Sequence, residues 1–294
     1  MANLKEVRSR IASVISTQQI TKAMKMVSAS KLRRAQNAIQ QMRPYETSLN
    51  AMLQNVLENY DGEMDSPFAT ERVIENPCLV VITSNRGLCG AFNTNILKAG
   101  VEIINSKYAK QATTNKLTIV CVGKKGNDFF KRRYPNANVV STFVDTFSDL
   151  SFDNVKKAAA FVMQNFEQKK FDHVSIVYGR FKNAAMQFAE GITYLPVTSP
   201  KALTATKKKK AVYIFEPTEP ELLKELVPGV LQTTFYKCVL DTHASEHGAR
   251  MTAMDKATEN ANELLKNLKI NYNKARQEAI TKELSEIVAG AAAQ

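Results

Sequence analysis

Glycine and proline, the residues that end or bend helices, are concentrated in the middle of this 294-residue chain. Of eleven glycines and nine prolines, residues 1–61 hold only Pro44 and residues 230–294 hold only Gly248 and Gly290. The other nine glycines and eight prolines lie between 62 and 229. Two ends without breakers around a punctuated centre predict two long helices flanking a mixed domain, with divisions at 1–60, 61–229 and 230–294.

Hydrophobic spacing supports the helical ends. Leu32, Ala35, Ile39, Met42, Leu49, Leu53 and Val56 follow an alternating three-four series broken only by Glu46, the pattern of a coiled-coil seam. Leu4, Val7, Ile11 and Val14 keep the same spacing, whereas Ile20, Met24 and Val27 sit one residue off it, so the register is expected to drift there. Near the other end, Met254, Ala257, Ala261, Leu264 and Leu268 repeat the spacing, and Ile280, Leu284 and Ile287 resume it after a shift. Stretches 4–60 and 230–288 would each run roughly 85 Å as helix at about 1.5 Å per residue. Their equal lengths predict an antiparallel two-helix coiled coil with the central domain inserted at its base. Pro44 bends the first helix without ending it, and a rod this long must turn part of its apolar surface to another protein.

The centre alternates strand and helix. Runs 78–83, 117–122 and 173–178 are short, apolar and β-rich, while 93–108 and 154–168 show helical spacing, which predicts a βαβ layout with a largely parallel sheet, a Rossmann-like α/β domain. Runs 187–197 and 211–215 add antiparallel strands, and 204–210 is a lysine-rich loop.

An apolar content of 44% with 23% charged residues suits a folded chain with its own core, and excludes a disordered tail. The four cysteines are too scattered for a disulfide framework or a zinc knuckle. No aliphatic run approaches the roughly 18 residues that cross a bilayer, so any membrane tie comes through partners. The first residues match neither a secretory signal nor a transit peptide. The net charge of +12 is unevenly placed: residues 1–43 carry nine Lys or Arg against Glu6 alone, whereas residues 230–294 carry eight of each sign. Such a helix suits an acidic protein surface or nucleic-acid phosphates, and a basic coiled-coil nucleic-acid-binding protein is the alternative reading. Against it, no aromatic residue precedes Tyr45 to stack on bases.

Candidate chemistry is sparse. The loop from Thr83 to Gly90 places glycines between a strand and a helix, as a phosphate cradle requires, yet it lacks both the P-loop ending and the G-x-G-x-x-G spacing. A structural turn is the stronger reading, and 123–126 (GKKG) is a weaker candidate still. His243 and His247 have metal-chelating spacing without the HExxH pattern, and surface or packing roles outweigh a metal. Cys89 beside Gly90 reads as a buried structural thiol rather than a reactive one. No catalytic constellation, cofactor site or metal site is expected.

Three motifs carry a family resemblance over essentially the whole chain. They are IASVISTQQITKAMKMVSASKLRR (11–34) followed by RPY (43–45), SNRGLCGAFN (84–93), and ASEHGARMTAM (244–254) followed by NKARQEAITKELSEIVAGAAA (273–293). Together they resemble the gamma subunit of F-type ATP synthases, with Asn85 where that family usually has an acid. The resemblance implies a non-catalytic central rotor: a coiled coil threading a head of three alpha and three beta subunits, and an α/β foot on the epsilon subunit and the c-subunit ring. It implies no nucleic acid and no cofactor, and a peripheral place on the cytoplasmic face of a bacterial inner membrane. By motif position, Arg276, Gln277 and Thr281 resemble residues that touch the beta catch loop. Met24, with Lys22 and Lys25 beside it, falls in the segment facing the acidic lever of beta. Tyr213, Phe215 and Glu216 resemble a segment facing the ring and epsilon, with Phe215 in place of a tyrosine. The small, uncharged tail 289–293 suits either a close bearing or a frayed helix end. Gly248, commonly serine or alanine in the family, costs about 1 kcal/mol relative to alanine in mid-helix and marks local flexibility or a close contact.

Overall fold

The computed structural model describes residues 4–59, 67–197 and 219–292. It comprises α1 (Leu4–Asn59), β1 (Pro77–Ile82), α2 (Phe92–Lys107), α3 (Ala109–Thr113), β2 (Thr118–Val122), α4 (Lys124–Arg133), β3 (Asn138–Val140), a 3-10 turn (Val144–Ser148), α5 (Phe152–Glu167), β4 (His173–Phe181), β5 (Gln187–Leu195) and α6 (Glu219–Ala292). The expected loop 204–210 and strand 211–215, and with them Tyr213, Phe215 and Glu216, lie outside the described residues. Two compact units result: one holds the described residues up to 29 and from 250 onward, the other those from 30 to 249.

In the second unit the sheet has the order β3-β2-β1-β4-β5, with β1 to β4 parallel and β5 antiparallel to β4. All six residues of β1 are buried, as a central strand covered on both faces must be. Alternation along β1 sends Cys78, Val80 and Ile82 to one face, where Val162 and Phe166 of α5 and Leu231, Phe235 and Val239 of α6 cover them. Leu79 and Val81 point to the other face, among Ile96 and Ile104 of α2 and Phe130 of α4. The first part of α6 is therefore a core layer of the α/β unit.

Two departures from the sequence reading have simple causes. α6 begins at Glu219, so Pro220, Pro228 and Gly229, counted above as breakers, lie inside it. A proline in the first turn is tolerated, and the apolar face from Val227 to Val239 compensates for the backbone bond that Pro228 cannot make. GKKG opens α4, unassigned above because α4 carries six charges in ten residues and buries only Gly126 and Phe130. Gly123 is required there, since its φ of 110° is unfavourable for other residues and a β-carbon would collide with the Thr83 carbonyl. Gly248 marks a close contact, as a β-carbon would stand 3.2 Å from the Ala184 carbonyl oxygen.

Where α1, β4 and α6 meet within this unit lies a cavity of about 480 Å³ whose charged lining is Arg43, Glu46, Arg180, Lys182, Lys237 and Asp241. Lys237 Nζ bonds Glu46 at 2.6 Å and Arg180 Nε bonds Glu190 at 2.6 Å. Burial pushes the Asp241 carboxyl up to about 6, with Glu46 adding to the shift and Lys237, Arg43 and Arg180 opposing it. The folded chain thus holds this proton up to about pH 6, whereas the unfolded chain releases it near 3.8. The charged form is a burden at neutral pH, and this group's contribution to stability rises as pH falls from 6 towards 4. Asp241→Asn is expected to stabilise the chain at pH 8 by on the order of 1–3 kcal/mol, with the advantage vanishing by pH 4. Thermal denaturation of both chains at the two pH values checks this.

Candidate functional site: the paired helices

The first unit is an antiparallel pair, residues 4–29 of α1 against 250–292 of α6. Its direction follows from the cross-helix bonds: Arg8 with Tyr272, Gln18 with Asn262, Thr21 with Thr258 and Lys25 with Asp255. At each rung the two numbers add to 279 or 280, so the pairing stays in register over about five turns.

Burial along α1 corrects the expected drift. Leu4, Val7, Ile11, Val14, Gln18, Thr21, Lys25 and Ser28 are all buried or half-buried, at an unbroken three-four spacing. The seam keeps its phase and changes chemistry, because four polar residues occupy its middle. Ile20 and Val27, off that series, face outward at 59% and 57% exposure, while Met24 is half-buried. On α6 the seam runs through Met254, Thr258, Ala261, Leu265, Leu268, Tyr272, Ala275 and Ala279. Leu264, placed on the seam by the sequence reading, is 48% exposed, and Ile280, Leu284 and Ile287 are exposed too. Apolar residues on both sides of a stripe make its phase ambiguous, and tertiary contact selects one.

The polar rungs are satisfied. The Thr21 and Thr258 hydroxyl oxygens lie 2.8 Å apart; one donates to the other, and the accepting hydroxyl gives its own proton to a backbone carbonyl of its helix, Gln18 O for Thr21 or Met254 O for Thr258. Arg8 Nη2 donates to the Tyr272 hydroxyl at 2.9 Å, which holds that phenol below the usual tyrosine range.

The motif residues form two patches. Lys22 is exposed, Met24 half-buried, and Lys25 is joined to Asp255 by an ion pair roughly half open to solvent. Such pairs contribute at most about 1 kcal/mol. Arg276, Gln277 and Thr281 are exposed, with the Thr281 hydroxyl bonded to the Gln277 carbonyl at 2.9 Å. By the pairing rule Arg276 stands level with Leu4, so Gln277 and Thr281 lie past the start of α1, and side chains 281–291 are all exposed. Lys25 and Arg276 are separated by about 30 Å of helix at about 1.5 Å per residue. Sequence reasoning missed Asp255, Tyr272 and the Thr21–Thr258 rung; carrying the heptad count through polar positions finds Tyr272, Thr21 and Thr258, whereas Asp255 sits one residue off the seam.

In the α/β unit the residues raised for other chemistry are engaged in the fold. Four amides at these two loops are committed: Ser84 to Asn93 Oδ1, Lys124 to Asn85 Oδ1, Lys125 to the Ser84 carbonyl and Gly126 to Thr83 Oγ1. The crevice beyond the carboxyl ends of β1 and β4, where an open α/β sheet binds its ligand, is filled by α6. There Thr242 Oγ1 accepts from the Gly179 amide at 3.2 Å and Ser245 Oγ donates to its carbonyl at 2.9 Å. His243 and His247 approach Nε2 to Nε2 at 3.1 Å, with His243 stacked on Phe147. Among the described residues no group of three or more His, Cys, Asp or Glu could hold a metal ion. Cys89 is buried, its sulfur 3.2 Å from Asn93 Nδ2.

The family model described as ATP synthase matches residues 3–294. The ATP synthase gamma chain of Cytophaga hutchinsonii is 50% identical, covering 100% of this chain and 99% of the relative. That of Christiangramia forsetii is 48% identical with the same coverage. This chain belongs to the ATP synthase gamma-chain family. Among solved structures, a chain of the Euglena gracilis mitochondrial ATP synthase OSCP/F1/c-ring assembly matches with a TM-score of 0.67 at 23% identity, covering 99% of this chain and 94% of that one. A chain of the Tetrahymena thermophila central stalk and c-ring matches with a TM-score of 0.57 at 24% identity, covering 81% and 99%. At such identities these likenesses speak to the fold. Membership along the whole chain leaves the nucleic-acid reading of the basic helix unsupported.

Two substitutions test this geometry. Thr21→Val or Thr258→Val alone is expected to cost about 0.5–1.5 kcal/mol, while the double variant is near neutral or stabilising, since paired apolar groups leave no orphan; a double-mutant cycle by thermal denaturation reads the coupling. Asn85→Asp restores the family's acid beside the first amide of α4, where negative charge is favourable. It should add about 0.3–1 kcal/mol at low ionic strength and less in high salt, measured in the same way.

Proposed function

We propose that the chain is the central rotor of an ATP synthase: it turns with the ring of c subunits and passes that rotation to catalytic beta subunits, coupling proton translocation to ATP synthesis or hydrolysis. The observation that carries the reading is the paired-helix unit, with outward apolar and basic residues and exposed side chains from 281 to 291, in a chain matching gamma chains from end to end. Catalysis belongs to the beta subunits, and this chain performs none. Residues 1–60 and 230–294 serve as the shaft and 61–229 as the foot, with the start of the second shaft segment also packed into the core of the foot through Leu231, Phe235 and Val239. The relatives' solved assemblies contain F1 and the c ring, and the partners here are three alpha, three beta, the epsilon subunit and that ring. Attachment is peripheral, on the cytoplasmic face of a bacterial inner membrane. Among the described residues no helix is long and apolar enough to cross a membrane.

The mechanism needs unequal faces. A partner shifts a conformational equilibrium only by the difference in its contacts with the two states. Basic α1 and the nearly charge-balanced residues 250–292 of α6 present different surfaces as the pair turns, so each beta subunit meets them in succession. Lys22 and Met24, with Lys25 beside them, face the acidic lever of beta, and Arg276, Gln277 and Thr281 meet the catch loop. Tyr213, Phe215 and Glu216 meet epsilon and the ring. Solvated ionic contacts of at most about 1 kcal/mol each suit a surface that must let go at every step.

Arg276→Ala combined with Gln277→Ala, and separately Lys22→Glu, are expected to reduce ATP synthesis several-fold by complexes that assemble normally. Lys22 is the better probe than Lys25, whose reversal would also oppose Asp255. Unchanged synthesis at normal assembly in both variants would overturn the assignment of these contacts.

A further inference from the structure

On the α/β unit, the surface between α2 and α4 holds a cavity of about 790 Å³. Its floor is Leu97 and Val101 of α2 with Phe129 of α4, each half-buried against the core. Phe129 meets the fully buried Phe130 edge to face at 5.2 Å, which fixes its ring. Lys98, Glu102 and Arg133 stand on the rim. The lining follows one face of α2 from Thr94 to Ser106, a run of about 18 Å at about 1.5 Å per residue, equal to roughly three turns of an opposing helix.

Charge defines the occupant. α2 carries Lys98 and Lys107 against Glu102; α4 carries Lys124, Lys125, Lys131, Arg132 and Arg133 against Asp128. The two helices together carry seven cations against two acids; of the charged residues that line the groove itself, Lys98 and Arg133 outnumber Glu102, and among the described residues neither of these two cations is ion-paired. An apolar trough with a basic border matches an amphipathic helix that offers aliphatic side chains at i, i+3 or i+4 and i+7 between carboxylates.

We propose that the α2–α4 groove is a docking site for an acidic amphipathic helix of another protein. Leu97, Val101 and Phe129 receive its apolar stripe, and Lys98 and Arg133 receive its acids. The groove is preformed, so docking requires little rearrangement. This assignment is independent of the rotor reading, whose contacts lie on the paired helices and on residues 213–216.

The test has two arms, both on the full chain. In solution, an 18-residue helical peptide with leucines on one face and glutamates beside them is titrated by fluorescence anisotropy against the same peptide with lysines in place of glutamates. The acidic peptide is expected to bind at least about tenfold more tightly, with that preference lost in Lys98→Glu combined with Arg133→Glu and binding weakened about tenfold by Val101→Asp. Equal affinity for the two peptides, or no binding by either, overturns the proposal. In native membranes, Asn105→Cys carrying a photoreactive maleimide is irradiated and its adducts are identified by mass spectrometry. Adducts on an acidic helical segment of a different protein, lost in the Lys98→Glu, Arg133→Glu background, support the proposal. Adducts on a second copy of this chain, on lipid or on a basic segment, or no adduct at all, overturn it. Thermal denaturation of each variant confirms that it is folded.

Discussion

The contact on which the paired helices depend is polar at its centre. Gln18, Thr21, Lys25 and Ser28 occupy four consecutive seam positions where a coiled coil ordinarily buries aliphatic groups. Three of them bond across to Asn262, Thr258 and Asp255, and Ser28 returns its hydroxyl to the Met24 carbonyl. Directional bonds tolerate a register slip less well than a greasy stripe does, so this stretch sets which residues face one another. It also releases Ile20 and Val27 to the outer surface, where they stand among the basic residues of α1. One choice of side chains thereby fixes the pairing and supplies an apolar, cationic outer face.

The α/β unit makes the opposite use of a familiar scaffold. Strand order reverses between β1 and β4, the place where such sheets bind ligands, yet Thr242 and Ser245 of α6 occupy it through the backbone of Gly179. The Thr83–Gly90 loop likewise gives its Ser84 amide to Asn93 and accepts the Lys124 and Gly126 amides on Asn85 and Thr83. Polar groups that could receive a phosphate instead fasten helices to the sheet. A scaffold consolidated in this way resists deformation, which is what a body that transmits force requires.

Much of this architecture was legible in the sequence. The run of residues without breakers, the buried strands 78–83, 117–122 and 173–178, and the helices 93–108 and 154–168 follow from short-range periodicity, which the core preserves. β3 and α4 were not legible, since one is three residues long and the other hides a single large side chain, Phe130, among charges. The start of α6 was misjudged for a related reason: Pro228 and Gly229 signal termination locally, and only packing of Val227, Leu231 and Phe235 against the sheet outweighs that signal.

Motif positions identified Lys22, Met24, Arg276 and Gln277 as a set without revealing their spacing; the antiparallel register separates them into two patches and gives Lys25 a partner in Asp255. By itself the sequence determined two long helices, a central parallel sheet, the surplus of positive charge on α1 and the family, because each is written in local spacing or in contiguous motifs. Tertiary structure alone decided which of two interleaved apolar stripes becomes the seam, which crevice is filled and where a basic, apolar groove remains open. Those outcomes depend on contacts between residues distant in sequence, more than two hundred positions apart in the seam and more than sixty in the crevice, and no local pattern encodes them.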